Sequence, residues 1–281
     1  MRFLVLWFRR FVAGLIGAVA IWLIVDVVWR VTDRRLPWIV ALAITYGLAA
    51  YVILPLIVRM GLKVLQRKSV PAFTVTGDGF PGDPVNIVLL GDFAALRAAF
   101  ARAGWTEADP LGLASSWRMA VAFLFDRAYP SAPFSTLYLF GRKQDIGFQK
   151  PIGGSPRKRH HIRFWALAPE LDDEPMTAPG FWLNNDRPPL DQPALWVGAG
   201  TRDTGFGVTM FTFQVTHATA DDTNAERDFI VEELKRVAAI GDIVRRREGD
   251  MFRTGKVNHY VADGEVAAAR LVEGPPPAPA G

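Results

Sequence analysis

Two long apolar runs near the start of the chain constrain it more than any other feature. Phe11 to Trp29 is 19 residues with a single charge, Asp26, and Trp38 to Val58 is 21 residues with none. A helix of roughly 20 apolar residues covers the ~30 Å of hydrocarbon in a bilayer, so each run has the length of a membrane span. A core helix of a soluble domain keeps a polar side, and these runs keep none. Trp7, Trp29 and Trp38 lie near the ends, where interfacial aromatics belong. The connection Arg30-Val31-Thr32-Asp33-Arg34-Arg35-Leu36 is short, which predicts an antiparallel transmembrane hairpin with both chain ends on one side. Ala18-Val19-Ala20 resembles a leader cleavage site, but the apolar run continues to Val25, which argues against removal there.

Basic residues orient such a hairpin. The outer flanks carry seven (Arg2, Arg9, Arg10, Arg59, Lys63, Arg67 and Lys68) and the connecting loop three (Arg30, Arg34 and Arg35), which favours both ends in the cytoplasm. Asp26 lies four residues before Arg30, the spacing of a helical ion pair that reaches the interface. The chain has no cysteine, which excludes disulfides and fits either compartment. Its net charge of +4 is accounted for by the flanks of the spans, and no nucleic-acid module is recognisable.

The remainder of the 281 residues suffices for one ordinary domain. The organisation read from the sequence is a hairpin with a basic exit segment over 1–68, a linker over 69–84 dense in Gly, Asp and Pro, a folded domain over 85–272, and a Pro/Ala-rich disordered tail over 273–281. Val85 to Gly91 reads as a buried strand. Asp92 caps a helix from Phe93 to Ala103 that Gly104 ends. A second helix is expected over Trp117 to Phe125, then a hairpin of Leu137–Phe140 with Ile146–Gln149. Glu170 to Pro193 reads as a long loop. Leu195–Gly200 and Gly207–Thr216 read as a strand pair joined through a turn at 201–205. Thr223-Asn224-Ala225-Glu226 has capping-box spacing and starts a helix to about Ala239, and a last hairpin is expected around Asp263-Gly264. Strands and helices do not alternate strictly, so the fold class is α+β, a mostly antiparallel sheet with a few packed helices.

The stretch Arg157-Lys158-Arg159-His160-His161-Ile162-Arg163-Phe164-Trp165 is the best candidate for a working surface. It holds two of the four histidines, and from Arg159 onward it alternates as a strand does. His160, Ile162 and Phe164 share one face and Arg159, His161, Arg163 and Trp165 the other. With the apolar face inside, His161 and Arg163 are expected to project from an open face and His160 to sit near the core. Two further stretches, Arg202-Asp203 and His217-x₃-Asp221-Asp222-x₃-Glu226-Arg227, fall at expected strand ends. Brought together, the three offer imidazole, carboxylate and guanidinium. That mixture holds a divalent metal, or binds a phosphoryl group and moves a proton to it. The catalytic candidates are His161, His217, Asp203 and Glu226, and the ligand-binding candidates are Arg159, His160, Arg163 and Arg227. The plainer alternatives stay open: a core role for His160, a capping-box role for Glu226, a turn role for Asp203, and a solvated charge run for Arg157–Arg159. The chain lacks a phosphate-binding Gly-x₄-Gly-Lys-Ser/Thr loop, a Gly-x-Ser-x-Gly elbow and a His-Glu-x-x-His pair.

A series of short motifs runs in order through the domain: Pro81-Gly82-Asp83-Pro84-Val85-Asn86, Ala103-Gly104-Trp105, Ala108-Asp109-Pro110-Leu111, Tyr129-Pro130-x-Ala132-Pro133, Leu137-Tyr138-Leu139-Phe140-Gly141-Arg142-Lys143-Gln144-Asp145, Gly154-Ser155-Pro156-Arg157-x-Arg159-His160-His161-x-Arg163-Phe164-Trp165 and Ala225-Glu226-Arg227-Asp228. Together, over about Gly79 to Ala239, they resemble the LssY carboxy-terminal domain family of bacteria. Members of that family occur behind membrane spans, alone or fused to domains similar to DedA proteins and PAP2-type lipid phosphatases. Two adjacent histidines usually follow the Thr of the family's Thr-His segment. Here Thr216-His217 is followed by Ala218, which weakens a metal site at that place. The phosphatase signature is absent. The resemblance therefore implies a bacterial inner-membrane setting, membrane lipid as a partner, and no catalytic residue.

Two functional expectations follow. One is a tethered domain whose cleft binds a phosphate-bearing, lipid-linked anion and hydrolyses it. The other is a non-catalytic module that docks envelope or secretion proteins.

Overall fold

The computed structural model describes residues 15, 18–34, 36–65, 70–125, 127–153, 155–168, 187–208, 215–247, 252–253 and 261–272. The tail over 273–281, His259, most of the loop expected over Glu170–Pro193 and the start of the first apolar run lie outside them.

Among the described residues one helix, α1 (Trp38–Lys63), is long and apolar enough to cross a membrane. Its turns widen to π-type over Ala49–Ile53. The first run is helical as well over Leu23–Trp29, and the helix continues into the connection over Arg30–Asp33. That connection meets α1 through Thr32 and Thr45, whose hydroxyls are 3.1 Å apart. Asp26 and Arg30 form the expected ion pair at 2.6 Å.

The domain is α+β and rich in antiparallel pairing. Its strands are β1 (Phe73–Thr76), β2 (Pro81–Pro84), β3 (Ile87–Gly91), β4 (Thr106–Glu107), β5 (Leu137–Leu139), β6 (Arg142–Lys143), β7 (Ile146–Ile152), β8 (Ser155–Leu167), β9 (Ala194–Val208), β10 (Val215–Thr219), β11 (Val244–Arg247), β12 (Phe252–Arg253), β13 (Val261–Ala262) and β14 (Glu265–Arg270). Its helices are α2 (Phe93–Arg102), α3 (Leu113–Leu124) and α4 (Thr223–Arg236). The main sheet runs β11-β14-β3-β9-β8-β7-β4, with β10 also on β9, and β14 pairs with β3 in parallel. A small sheet runs β2-β1-β5-β6.

Helices α2 and α4 cover one face of the main sheet. Leu96, Phe100, Ile230 and Leu234 meet Ile87, Leu89, Phe148, Phe164 and Trp196 there. Phe100 stacks on Phe148 with centroids 4.4 Å apart and meets Phe164 edge-on at 5.5 Å. Both helix starts are capped as such starts require. Asp92 accepts from the Ala95 N–H at 2.6 Å, and Asp222 from those of Asn224 and Ala225 at 3.0 Å.

The small sheet covers part of the other face. Leu137, Leu139, Val85, Trp165, Val197 and Ala199 form a second core between the two sheets. The end of α1 rests on the small sheet: Arg59 Nε donates to the Gly141 carbonyl at 3.2 Å. Gly141 (φ +71°) and Phe140 (φ 53°) make a tight left-handed turn, and a Cβ on Gly141 would come within 2.9 Å of the Arg59 carbonyl.

Several local expectations are corrected. Leu137–Leu139 turns back on Arg142–Lys143, not on Ile146–Gln149, because the Phe140-Gly141 turn permits the shorter loop, and β7 joins β8 instead. Most of the stretch expected as a linker forms the β1–β2 hairpin, since Thr74 Oγ1 and the pairing with β5 give it a place in the small sheet. The turn expected at 201–205 lies within β9, whose Thr and Gly residues accept the extended backbone. β14 pairs with β11 and β3 rather than closing a hairpin with β13. Helix α3 begins four residues before Trp117, at Leu113.

Candidate functional site

Strand β8 is flanked by β7 and β9, and register places Gln149, His161 and Thr201 in one row across the three strands. Arg159 stands opposite Asp203 in the next row. Alternation puts all five on the face away from α2 and α4. Arg159 Nε donates to Asp203 Oδ2 at 2.8 Å, and its Nη1 to Gln149 Oε1 at 2.5 Å and to the Ala132 carbonyl at 3.2 Å. Arg163 Nη1 donates to Asp83 of β2 and, at 2.7 Å, to His161 Nε2. A guanidinium can only donate, so Nε2 accepts and the imidazole proton sits on Nδ1, which faces Asp203 Oδ1 at 3.3 Å. The Thr201 hydroxyl lies 2.9 Å from the same Nε2.

The face expected to be open is closed. His161 is 1% exposed, and Arg159, Arg163, Asp203, Asp83, Gln149 and Thr201 are all buried. Phe134 roofs the layer, its ring centroid 4.8 Å from the Arg159 guanidinium, 4.9 Å from that of Arg163 and 5.2 Å from the His161 ring. Two arginines face two aspartates, so burial leaves no excess charge. Burial pushes the Arg159 guanidinium below its ordinary range; Asp203 pulls it back up, and Arg163 adds to the lowering.

Phe134 has this place only because β7 carries glycine beneath it. A Cβ on Gly147 would lie 2.2 Å from Phe134 Cε2. Gly147→Ala is expected to displace the ring, destabilising the chain by roughly 1–3 kcal/mol by strain and lost contact. Chemical unfolding of the full chain in detergent measures this, and an unchanged midpoint would show that the ring sits elsewhere.

The second group lies on the helix side of the same sheet. His160 Nδ1 is 2.8 Å from Glu226 Oε2, and its ring stacks on Phe229 at 4.1 Å. The histidine side chain is 17% exposed and the glutamate 3%. Glu226 is therefore not the capping-box acid of α4; Asp222 caps the helix and leaves Glu226 to the imidazole. Beside them Lys150 donates to Glu233. Burial alone would raise the Glu233 carboxyl, but Lys150 and Arg236 outweigh it and hold the group below its usual range.

The other candidates do not join either group. Arg227 turns to the start of β14, donating to Asp263 at 2.8 Å, to Asp228 at 3.0 Å and to the Glu265 carbonyl at 3.1 Å. Burial pushes its guanidinium down, and those carboxylates more than reverse that. His217 lies in β10 opposite Phe206 of β9; its side chain is outside the described residues. Among the described residues no three His, Asp or Glu side chains are placed to share a metal ion. A hollow of about 450 Å³ opens on the main sheet, lined by residues including Val88, Leu90, Leu195, Val244 and Val266, and no member of the β8 network lines it.

Asp83, Gln149 and Thr201 escaped the sequence reading. Asp83 stands between Gly82 and Pro84 and looks like a turn residue; Gln149 and Thr201 look like the ends of apolar runs. The available signal was Trp165, a large apolar residue on the supposedly open face of β8, which demands a second covering layer.

A family model described as LssY C-terminus matches residues 67–266, most of the chain. No curated protein and no solved structure matches.

Proposed function

We propose that this chain, which belongs to the LssY C-terminus family, is a two-span inner-membrane protein whose α+β domain acts as a non-catalytic interaction module seated on the bilayer. The outward side chains of α1 support the membrane setting: Trp38, Ile39, Leu42, Tyr51 and Val52 are all exposed, as they would be against lipid. The basic flanks favour a cytoplasmic side for both chain ends and the domain.

The observation that carries the reading is the closure of the β8 network. Its arginines are already matched by carboxylates and roofed by Phe134, so they offer a phosphate nothing. What they do instead is fasten β2, and with it the sheet on which α1 ends, to the main sheet. These contacts tie the end of the span to the domain, which suits a part that presents a surface to membrane lipid and to other envelope or secretion proteins.

One observation favours hydrolysis as a second reading. The His160 imidazole is partly exposed while a buried carboxylate fixes its orientation, the arrangement of a general base with its orienting group. Phosphate release by the full chain from a panel of lipid phosphates decides between the two. The interaction reading expects no release that Glu226→Gln or His160→Ala lowers. Turnover that falls at least 100-fold in Glu226→Gln, the typical size of an acid–base contribution, would install the hydrolase.

A further inference from the structure

Helix α3 is amphipathic in an inverted sense. Its buried side carries small residues, Ser115 and Ala122, and its outer side carries large apolar ones. Leu113, Trp117 and Leu124 recur at helical spacing and are 95%, 73% and 74% exposed. Phe125 continues the stripe at 61%. No acidic residue occurs from Leu113 to Phe125, and the first to follow, Asp126, stands next to Arg127. Arginines stand at the margins: Arg118 pairs with Asp109 at 3.1 Å and remains 60% exposed, and the Arg127 guanidinium lies 5.5 Å from the Phe125 ring.

The segment around the helix is tied to itself. Ser115 Oγ donates to the Pro110 carbonyl at 2.7 Å, and the Tyr129 hydroxyl donates to Asp109 Oδ2 at 2.5 Å, tying the segment after the helix to the one before it. Burial and that carboxylate push the Tyr129 hydroxyl up to about 12. From α3 the chain returns over the face of the main sheet that carries the small sheet, where the Ala132 carbonyl accepts from Gln149 and Arg159. That is also the side on which α1 ends.

We infer that α3 is an interfacial helix lying in the bilayer surface, with Leu113, Trp117, Leu124 and Phe125 among the acyl chains and Arg118 and Arg127 at the level of anionic headgroups. A large apolar stripe with tryptophan and a cationic margin is the composition that partitions to such an interface. The inference rests on the membrane-seated reading and adds a second contact to it. Together with α1 it fixes the tilt of the domain, since two contacts on one side define an orientation that a single span leaves free to swivel.

The chain has no cysteine, so single cysteines can be placed without background. Leu113→Cys, Leu124→Cys and, on the opposite side of the sheet, Arg97→Cys are labelled with an environment-sensitive fluorophore in the full chain. Each is reconstituted in phosphatidylethanolamine–phosphatidylglycerol vesicles, with and without lipids carrying a nitroxide on the acyl chain. Probes at 113 and 124 are expected to emit at shorter wavelength and to be quenched by the nitroxide lipid, and the probe at 97 to do neither. Emission at 113 and 124 equal to that at 97 overturns the inference. So does a blue shift without lipid quenching, which would mean that a second copy or another protein segment covers the stripe. Alkaline carbonate extraction separates the two levels: a chain that stays in the vesicles with unquenched probes refutes only the interfacial helix, and a chain that is extracted refutes the membrane seat as well.

Discussion

Replacing Asp203 by asparagine is expected to destabilise the full chain by about 3–5 kcal/mol, the usual consequence of removing one partner of a buried ion pair. The Arg159 guanidinium is nearly solvent-free, and Asp203 is the group that offsets its desolvation. Gln149 and the Ala132 carbonyl still accept from it after the substitution, but neither carries charge. The neighbouring Arg163 repels it. His161 loses the anionic atom that its Nδ1 proton faces. Denaturant unfolding in detergent reads the loss. The companion variant Arg159→Met with Asp203→Leu is expected to recover most of it, because an apolar pair of similar shape carries no desolvation penalty. A cleft residue poised for catalysis would behave otherwise: its removal would leave stability unchanged or improved.

Asp83→Asn is expected to be comparably harmful, again about 3–5 kcal/mol, with a different spatial signature. Asp83 belongs to the small sheet and Arg163 to the main sheet, so the pair joins two layers rather than two neighbouring strands. Thr74 and Thr76 still hold the β1–β2 hairpin together, and Trp165 Nε1 still donates to the Arg142 carbonyl at 3.2 Å. Hydrogen exchange of the variant should therefore speed up first over 73–84 and 137–143, while β8 and β9 keep their protection. Uniform loss of protection across both sheets would show that the layers do not separate there.

These residues also mark how far sequence reading reached. Capping chemistry located α2 through Asp92, the Thr223–Glu226 spacing put the start of α4 in the right place although Asp222 is the cap, and alternation assigned the residues of β8 from Arg159 onward to their faces. What alternation cannot supply is what lies above a face. The Arg-His-Arg row reads as solvent-facing on its own. It is buried because Asp83, Asp203 and Gln149, from three remote segments, arrive with the right charge and reach. The capping-box alternative for Glu226 fails for the same reason: its spacing from Thr223 satisfies a local motif, but His160, 66 residues away, takes the carboxylate. The Phe140-Gly141 turn was hidden because a phenylalanine at positive φ is an uncommon hairpin residue, tolerated here where the end of α1 packs against the turn.

The two adjacent histidines thus have opposite surroundings, and that difference tests the account most directly. Acylation of imidazoles by diethylpyrocarbonate, followed residue by residue by mass spectrometry on the folded full chain in detergent, reports how freely each ring is reached. The closed network predicts that His160 is modified at a reduced but measurable rate and that His161 stays unmodified until the chain is unfolded. Modification of His161 in the folded chain as fast as in the unfolded one would contradict it, returning the β8 row to an open cleft.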